Sequence, residues 1–193
     1  TLEEMMLSYS EEPDWYETCR RAMNQALSLR LRFFDRLYEA IRQRRVQGLL
    51  DRIQSRQSLA AESPDPGCFF HGSSQPGTPL YSNTNGRLNI DFAVDRLPFT
   101  AEVLDPRLVR IPAGKYNEKH RHAHETVFYI IEGSGRVLIN EAAIEVAPGD
   151  IVFVPRWAMH QSQNLGETEM TILAVTDYGL TGNAYIGSYL KTA

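Results

Sequence analysis

GKYNEKHRHAHETVFYIIEG, residues 114–133, is the stretch on which the reading of this chain turns. Side chains two apart on a strand share a face, so His120 and His122 project together while Arg121 points away. Two imidazoles on one face make half of a metal site, although such a pair is as common for structural reasons. Thr126, Phe128 and Ile130 share one parity of the strand that follows, and they wall the interior. Further along, residues 148–160 read PGDIVFVPRWAMH. A tight turn and a hydrophobic strand there deliver a third histidine, His160, followed by Asn164. The two segments together carry far more weight than either alone.

Around these segments the chain is rich in short β-type runs. Residues 88–94, 103–111, 126–132, 136–140, 143–146, 151–155 and 170–176 read as strands with turns between them, which predicts a β-sandwich or small barrel. The histidine pattern occurs once, so one barrel is expected, over 88–180, with a tail over 181–193. Residues 62–87 are rich in Pro, Gly, Ser and Asn and read as an irregular crossing loop. From Asp14 to Arg56 the period is helical instead. Cys19, Met23, Leu27, Phe34, Leu37, Ile41, Leu49 and Ile53 recur at helical spacing and predict an amphipathic arm within 1–61. Ser10, Glu11, Glu12 and Pro13 suit its start and Gly48 a break near its end. The arm's apolar stripe packs either on its own barrel or on a partner chain.

Composition sets the bounds. The chain has 193 residues, 42% of them hydrophobic, and a formal charge of −4, which suits one globular domain plus an appendage. A mildly acidic chain gives no electrostatic reason to expect nucleic acid. All ten cations of residues 1–60 are arginines, but nine acids nearly cancel them, so the arm reads as a solvated face with intrahelical pairs. Nothing approaches the roughly 20 apolar residues of a membrane span, and a cytoplasmic protein is expected. Cys19 and Cys68 lack the spacing of a disulfide framework.

At residues 114–164 the sequence resembles the cupin superfamily, whose two motifs read G-x5-H-x-H-x3,4-E-x6-G and G-x5-P-x-G-x2-H-x3-N. The resemblance implies a mainly β fold, a cupin jelly-roll barrel, here with an N-terminal helical arm. It implies a divalent metal held by His120, His122 and His160. Two departures stand out. Thr126 occupies the position of the metal-binding glutamate, and a hydroxyl is a poor ligand beside imidazoles. Trp157 occupies the usual glycine of the second motif.

A site of three neutral imidazoles is similar to the branch that includes gentisate, cysteine and β-diketone dioxygenases. The wording around both motifs looks most like gentisate dioxygenase barrels, whose chains are longer and carry two barrels. The resemblance implies Fe(II), with Mn, Ni or Zn as alternatives, and cleavage of a small chelating phenolic or enolizable substrate. A non-catalytic ligand-binding cupin and a metal-assisted isomerase or lyase are the competing readings. Glu125 reaches the metal only through a bulge. For His124, ligand, proton shuttle and rim residue all stay open. Trp157 and Met159 are candidates for contact with a ring substrate, Gln161 and Thr126 for hydrogen bonding around the metal. Arg110 and Arg156 are candidates for pairing with a substrate carboxylate, and His71 reads as a solvated loop residue. Cupin barrels commonly pair, and a homodimer is expected.

Overall fold

The structure is a computed structural model that describes residues 4, 8, 14–55, 77–99, 101–184 and 190–191. The expected helix start at residues 10–13, Cys68, His71 and most of the expected loop lie outside the described residues. The chain divides into two compact units, Thr1–Arg44 and Arg45–Ala193.

A single long helix, α1, spans Trp15–Ser55. It runs straight through Gly48, where the sequence suggested a break. One glycine inside a helix costs only about 1 kcal/mol, and the good helix formers on both sides outweigh it. Arg20 pairs with Glu17 and Arg42 with Glu39, both at 2.7 Å and one helical turn apart. These are the intrahelical pairs expected of the solvated face. In the first unit Met23, Leu27, Phe34, Leu37 and Ile41 are exposed. None of the helices described is long and apolar enough to cross a membrane.

The second unit is built of antiparallel strands in two sheets. In chain order these are β1 (Thr78–Asn85), β2 (Ile90–Arg96), β3 (Asp105–Ile111), β4 (His120–Arg121), β5 (Thr126–Glu132), β6 (Gly135–Ile139), β7 (Ala142–Val146), β8 (Ile151–Val154), β9 (His160–Asn164), β10 (Met170–Thr176) and β11 (Leu190–Lys191). A short helix, α2 (Tyr178–Asn183), follows β10. One sheet has the order β1-β2-β3-β10-β5-β8 and the other β11-β4-β9-β6-β7. The fold is the mainly β, cupin-type barrel with an N-terminal helix that the sequence led to expect.

Three strands were not foreseen. Strand β1 lies inside the expected loop, because Thr78–Asn85 pairs along its length with β2, with one shift of register between Pro79 and Tyr81, despite its Pro and Asn content. Strand β11 falls within the expected tail and pairs with β4. Strand β9 carries His160 itself. Polar residues at inward positions hide the alternation that marks an ordinary strand.

Alternation elsewhere is clear. Along β5, Thr126, Phe128 and Ile130 are buried while Val127, Tyr129 and Ile131 face outward. Along β10, Met170, Ile172, Ala174 and Thr176 are buried. The core joins Phe92, Val94, Ile111, Phe128, Ile130, Val137, Val152, Val154, Met170 and Ile172 from both sheets. Full burial of each such side chain stabilises by about 1.5–3 kcal/mol. The inward row changes character along the strands. At one end Ile130 lies across from Ile172, and at the other Thr126 lies across from Thr176. The polar end of the barrel is where the site forms.

Gly133, which closes the first motif, has φ +75°, and a Cβ there would lie 2.6 Å from Met170 Cα and 2.7 Å from Glu169 O. Gly114 has φ +70° but open space around it. Gly133→Ala is therefore expected to lower unfolding free energy by about 2 kcal/mol or more, and Gly114→Ala by only about 1–2 kcal/mol. Urea denaturation of the two variants checks the difference.

Candidate metal centre

His120 and His160 lie directly across from each other in the pairing of β4 with β9. His122 lies just past the end of β4, not within it, yet still faces inward. Its backbone is tied to the second motif, because its carbonyl accepts a hydrogen bond from the Trp157 N–H at 2.8 Å. Ring centroids are 4.3 Å apart for His120 and His160, 4.7 Å for His122 and His160, and 5.3 Å for His120 and His122. One nitrogen from each ring falls within 4.8 Å of the other two, and all three residues are buried.

The backbone decides which nitrogen faces the common point. His120 Nδ1 lies 2.8 Å from Glu118 O, His122 Nδ1 2.9 Å from His124 O, and His160 Nδ1 2.9 Å from Ala158 O. A carbonyl oxygen can only accept, so each Nδ1 carries the proton and donates it. Each Nε2 is left with its lone pair. A metal-ligating histidine characteristically has its second nitrogen engaged in this way.

Burial favours the neutral form of His122 and His160. It is the largest cause pushing His122 down to about 2 and His160 down to about 4, and neighbouring imidazoles push the same way. Three neutral imidazole donors fit a divalent cation of borderline softness such as Fe(II), Mn, Ni or Zn. A metal held by these three residues would keep coordination positions open for small molecules.

The cavity is lined by the three histidines together with His124, Thr126, Phe128, Thr176, Arg107, Asn117 and Tyr81, and by Phe92, Val94, Val109 and Ala174. His124 is not a solvated rim residue. It is 2% exposed, stacks on His122 with centroids 3.5 Å apart and planes at 10°, and meets the edge of Tyr178. Burial, reinforced by Arg107, pushes it down to about 4. Thr126 Oγ1 is buried without a hydrogen-bond partner among the described residues.

Several sequence candidates lie elsewhere. The Glu125 carboxylate is half exposed, 3.3 Å from Arg156, with no bulge to turn it inward. Arg156 is held by Asp177 at 2.5 Å and by Ala123 O at 2.8 Å. Arg110 pairs with Asp95 and has the parity of β3 opposite to the cavity-lining Arg107 and Val109. Gln161 donates to Asn117 O at 2.8 Å. Ile130 belongs to the core, and neither Met159 nor Trp157 is among the cavity-lining residues. Trp157 has φ +61°, the left-handed conformation for which glycine is suited, and this explains the glycine in the family's second motif.

Sequence reasoning missed Arg107, Asn117, Tyr81 and Thr176. The parity of β3 could have pointed to Arg107, which shares a face with Val109 and Ile111. Asn117 precedes the histidines in a segment without regular structure, so no periodicity marks it. Its side chain accepts from Ser162 N at 2.7 Å and ties that segment to β9.

Residues 107–176 match the family profile described as a cupin domain. A cupin 2 conserved barrel domain protein from Rhodopseudomonas palustris is 30% identical, covering 52% of this chain and 69% of that one, with a TM-score of 0.45. A 5-aminosalicylate 1,2-dioxygenase from Comamonas sp is 36% identical over 58 residues, 30% of this chain and 15% of that protein. A salicylate 1,2-dioxygenase from Pseudoaminobacter salicylatoxidans, solved as adducts with gentisate, is 23% identical with a TM-score of 0.50, covering 63% of this chain and 32% of that one. The chain thus spans only a small part of the curated dioxygenase that it matches.

The lowered histidine values set a pH dependence. An unfolded chain takes up protons near pH 6.5, which His160 and His124 refuse until about pH 4 and His122 until about 2. The unfolded state then binds more protons, so stability is full above pH 6.5 and falls as the pH drops toward 4. Urea unfolding of metal-free protein should show a midpoint clearly lower at pH 5 than at pH 7.5. A double variant, His122→Gln with His160→Gln, should flatten the slope.

Proposed function

Residues 107–176 are a cupin domain, and from that premise we propose that the protein is a metal-dependent dioxygenase, using Fe(II), that cleaves a small chelating substrate. The observation that carries this reading is the set of three inward, neutral imidazoles, each with its Nδ1 on a backbone carbonyl. In it His120, His122 and His160 hold the metal through Nε2. Bound there, Fe(II) supplies Lewis acidity and access to dioxygen, with no carboxylate ligand to lower its charge. Phe92, Val94 and Phe128 keep water away from the reacting atoms. Similarity to a short part of a 5-aminosalicylate dioxygenase supports the reaction class without identifying a substrate.

Metal content and oxygen uptake test the proposal together. Protein reconstituted with Fe(II) should bind one ion per chain and consume dioxygen with an enolizable or ortho-phenolic substrate. Replacing His160 by Ala should weaken metal binding by roughly 100-fold or more. Zinc as purified, with no oxygen uptake across a broad panel of chelators, favours the ligand-binding or isomerase reading instead.

We also propose that the chain pairs with a second copy through the arm. Met23, Leu27, Phe34, Leu37 and Ile41 present an exposed apolar face of the kind that marks an interaction surface. Sedimentation equilibrium should give a dimer, and Leu27→Glu with Phe34→Glu should shift it to monomer without changing metal stoichiometry.

A further inference from the structure

The space in front of the three imidazoles is small, about 50 Å³. One water molecule needs roughly 10–15 Å³ of such space, so there is room for roughly four, whereas drug-sized ligands fill pockets from about 300 Å³ upward. An aromatic ring bearing two donor oxygens is larger than this space and would have to extend out of it, whereas a short aliphatic acid would not. Phe92, Val94 and Phe128 set this limit from the apolar side, and Tyr81 from β1 narrows it further.

Within this space one hydroxyl stands out. Thr126 is 2% exposed, and its Oγ1 has no hydrogen-bond partner among the described residues. The facing Thr176 hydroxyl differs, because it accepts from Tyr178 N at 3.3 Å and reaches Asp105 O at 3.4 Å. A buried polar group without a partner is unfavourable, and a ligand oxygen placed in the cavity relieves that penalty. Ser162 Oγ is also unpartnered and buried, but Ser162 does not line the cavity.

Charge narrows the ligand class. Three neutral imidazoles leave a divalent cation with its full charge, and the guanidinium of Arg107, paired with Asp105, sits in the wall. An anion that chelates is therefore favoured over a neutral ligand.

We propose that the site binds a compact chelating anion of about four to six non-hydrogen atoms, a short 2-hydroxy- or 2-oxo-carboxylate, and that the Thr126 hydroxyl donates a hydrogen bond to one of its oxygens. This rests on the metal-site reading and narrows its substrate from phenolic rings to short aliphatic acids. Thr126 is a specificity-determining residue standing at the position where the family's motif has a ligating glutamate.

Optical titration of the Co(II)-loaded full chain tests this, with glycolate, catechol and salicylate as probes. Glycolate should perturb the cobalt bands at a concentration at least tenfold below that needed for either aromatic. Thr126→Val should weaken glycolate about tenfold, Thr126→Ser should restore it to within twofold, and Ser162→Ala should leave it unchanged, all with one cobalt per chain. Catechol or salicylate binding as tightly as glycolate, or unchanged glycolate affinity in Thr126→Val, overturns the inference while the metal site stands. Failure to take up cobalt overturns the metal reading and this inference with it, and the metal count tells the two failures apart.

Discussion

Three hydrogen bonds from imidazole Nδ1–H to main-chain carbonyls are the constraint on which the site depends. Each acceptor lies two residues from its histidine: Glu118 for His120, Ala158 for His160, and His124 for His122. Tautomer and ring orientation are thereby set by the backbone. Burial acts in the same direction, because it disfavours imidazolium and so preserves the Nε2 lone pairs. The site needs no carboxylate to orient its ligands, which is consistent with Glu125 turning outward to Arg156.

The barrel makes this arrangement possible by separating two kinds of interior. Ile111, Ile130, Met170 and Ile172 are almost fully buried and fill one end with aliphatic contact. Thr126, Thr176, Arg107 and the histidines occupy the other, where partners such as Asp105 for Arg107 and Thr176 and main-chain carbonyls for the histidine rings offset the cost of burying polar side chains. The two motifs are fastened to each other through the backbone. Trp157 N–H bonds to His122 O, and Gly149 N–H bonds to Ile130 O at 2.9 Å. Asn164, wholly buried, donates to Ile111 O and Thr168 O and accepts from Gly166 N. The asparagine of the second motif therefore locks the turn between β9 and β10.

Much of this was legible in the sequence, for identifiable reasons. Strands β5 and β10 were read to the residue because their inward positions are mostly apolar and their outward ones lie in clear alternation. The three histidines were legible through the two motifs that resemble those of cupins, since the His120/His122 spacing alone is as common for structural reasons. Strand β1 was obscured by Pro79 and three asparagine or serine residues, whose turn preferences yield to pairing with β2. The cavity wall was legible only where it shares an element with a motif. Phe128 and Thr126 follow from parity with the histidine segment, whereas Arg107, Tyr81 and Asn117 arrive from distant segments, and only the sheet order brings them close. Arg110, a candidate for pairing with a substrate carboxylate, lies on the face of β3 opposite to the cavity-lining Arg107 and Val109, because a one-residue step along a strand reverses the face.

The account stands on three Nε2 atoms meeting one ion. Crystals grown with Fe(II) or Co(II) and measured at that metal's absorption edge test this directly. The account predicts one anomalous peak at about 2.0–2.2 Å from Nε2 of His120, His122 and His160, as for imidazole ligands of divalent metals. A peak bound through Nδ1, or no peak inside the barrel at saturating metal, would contradict it.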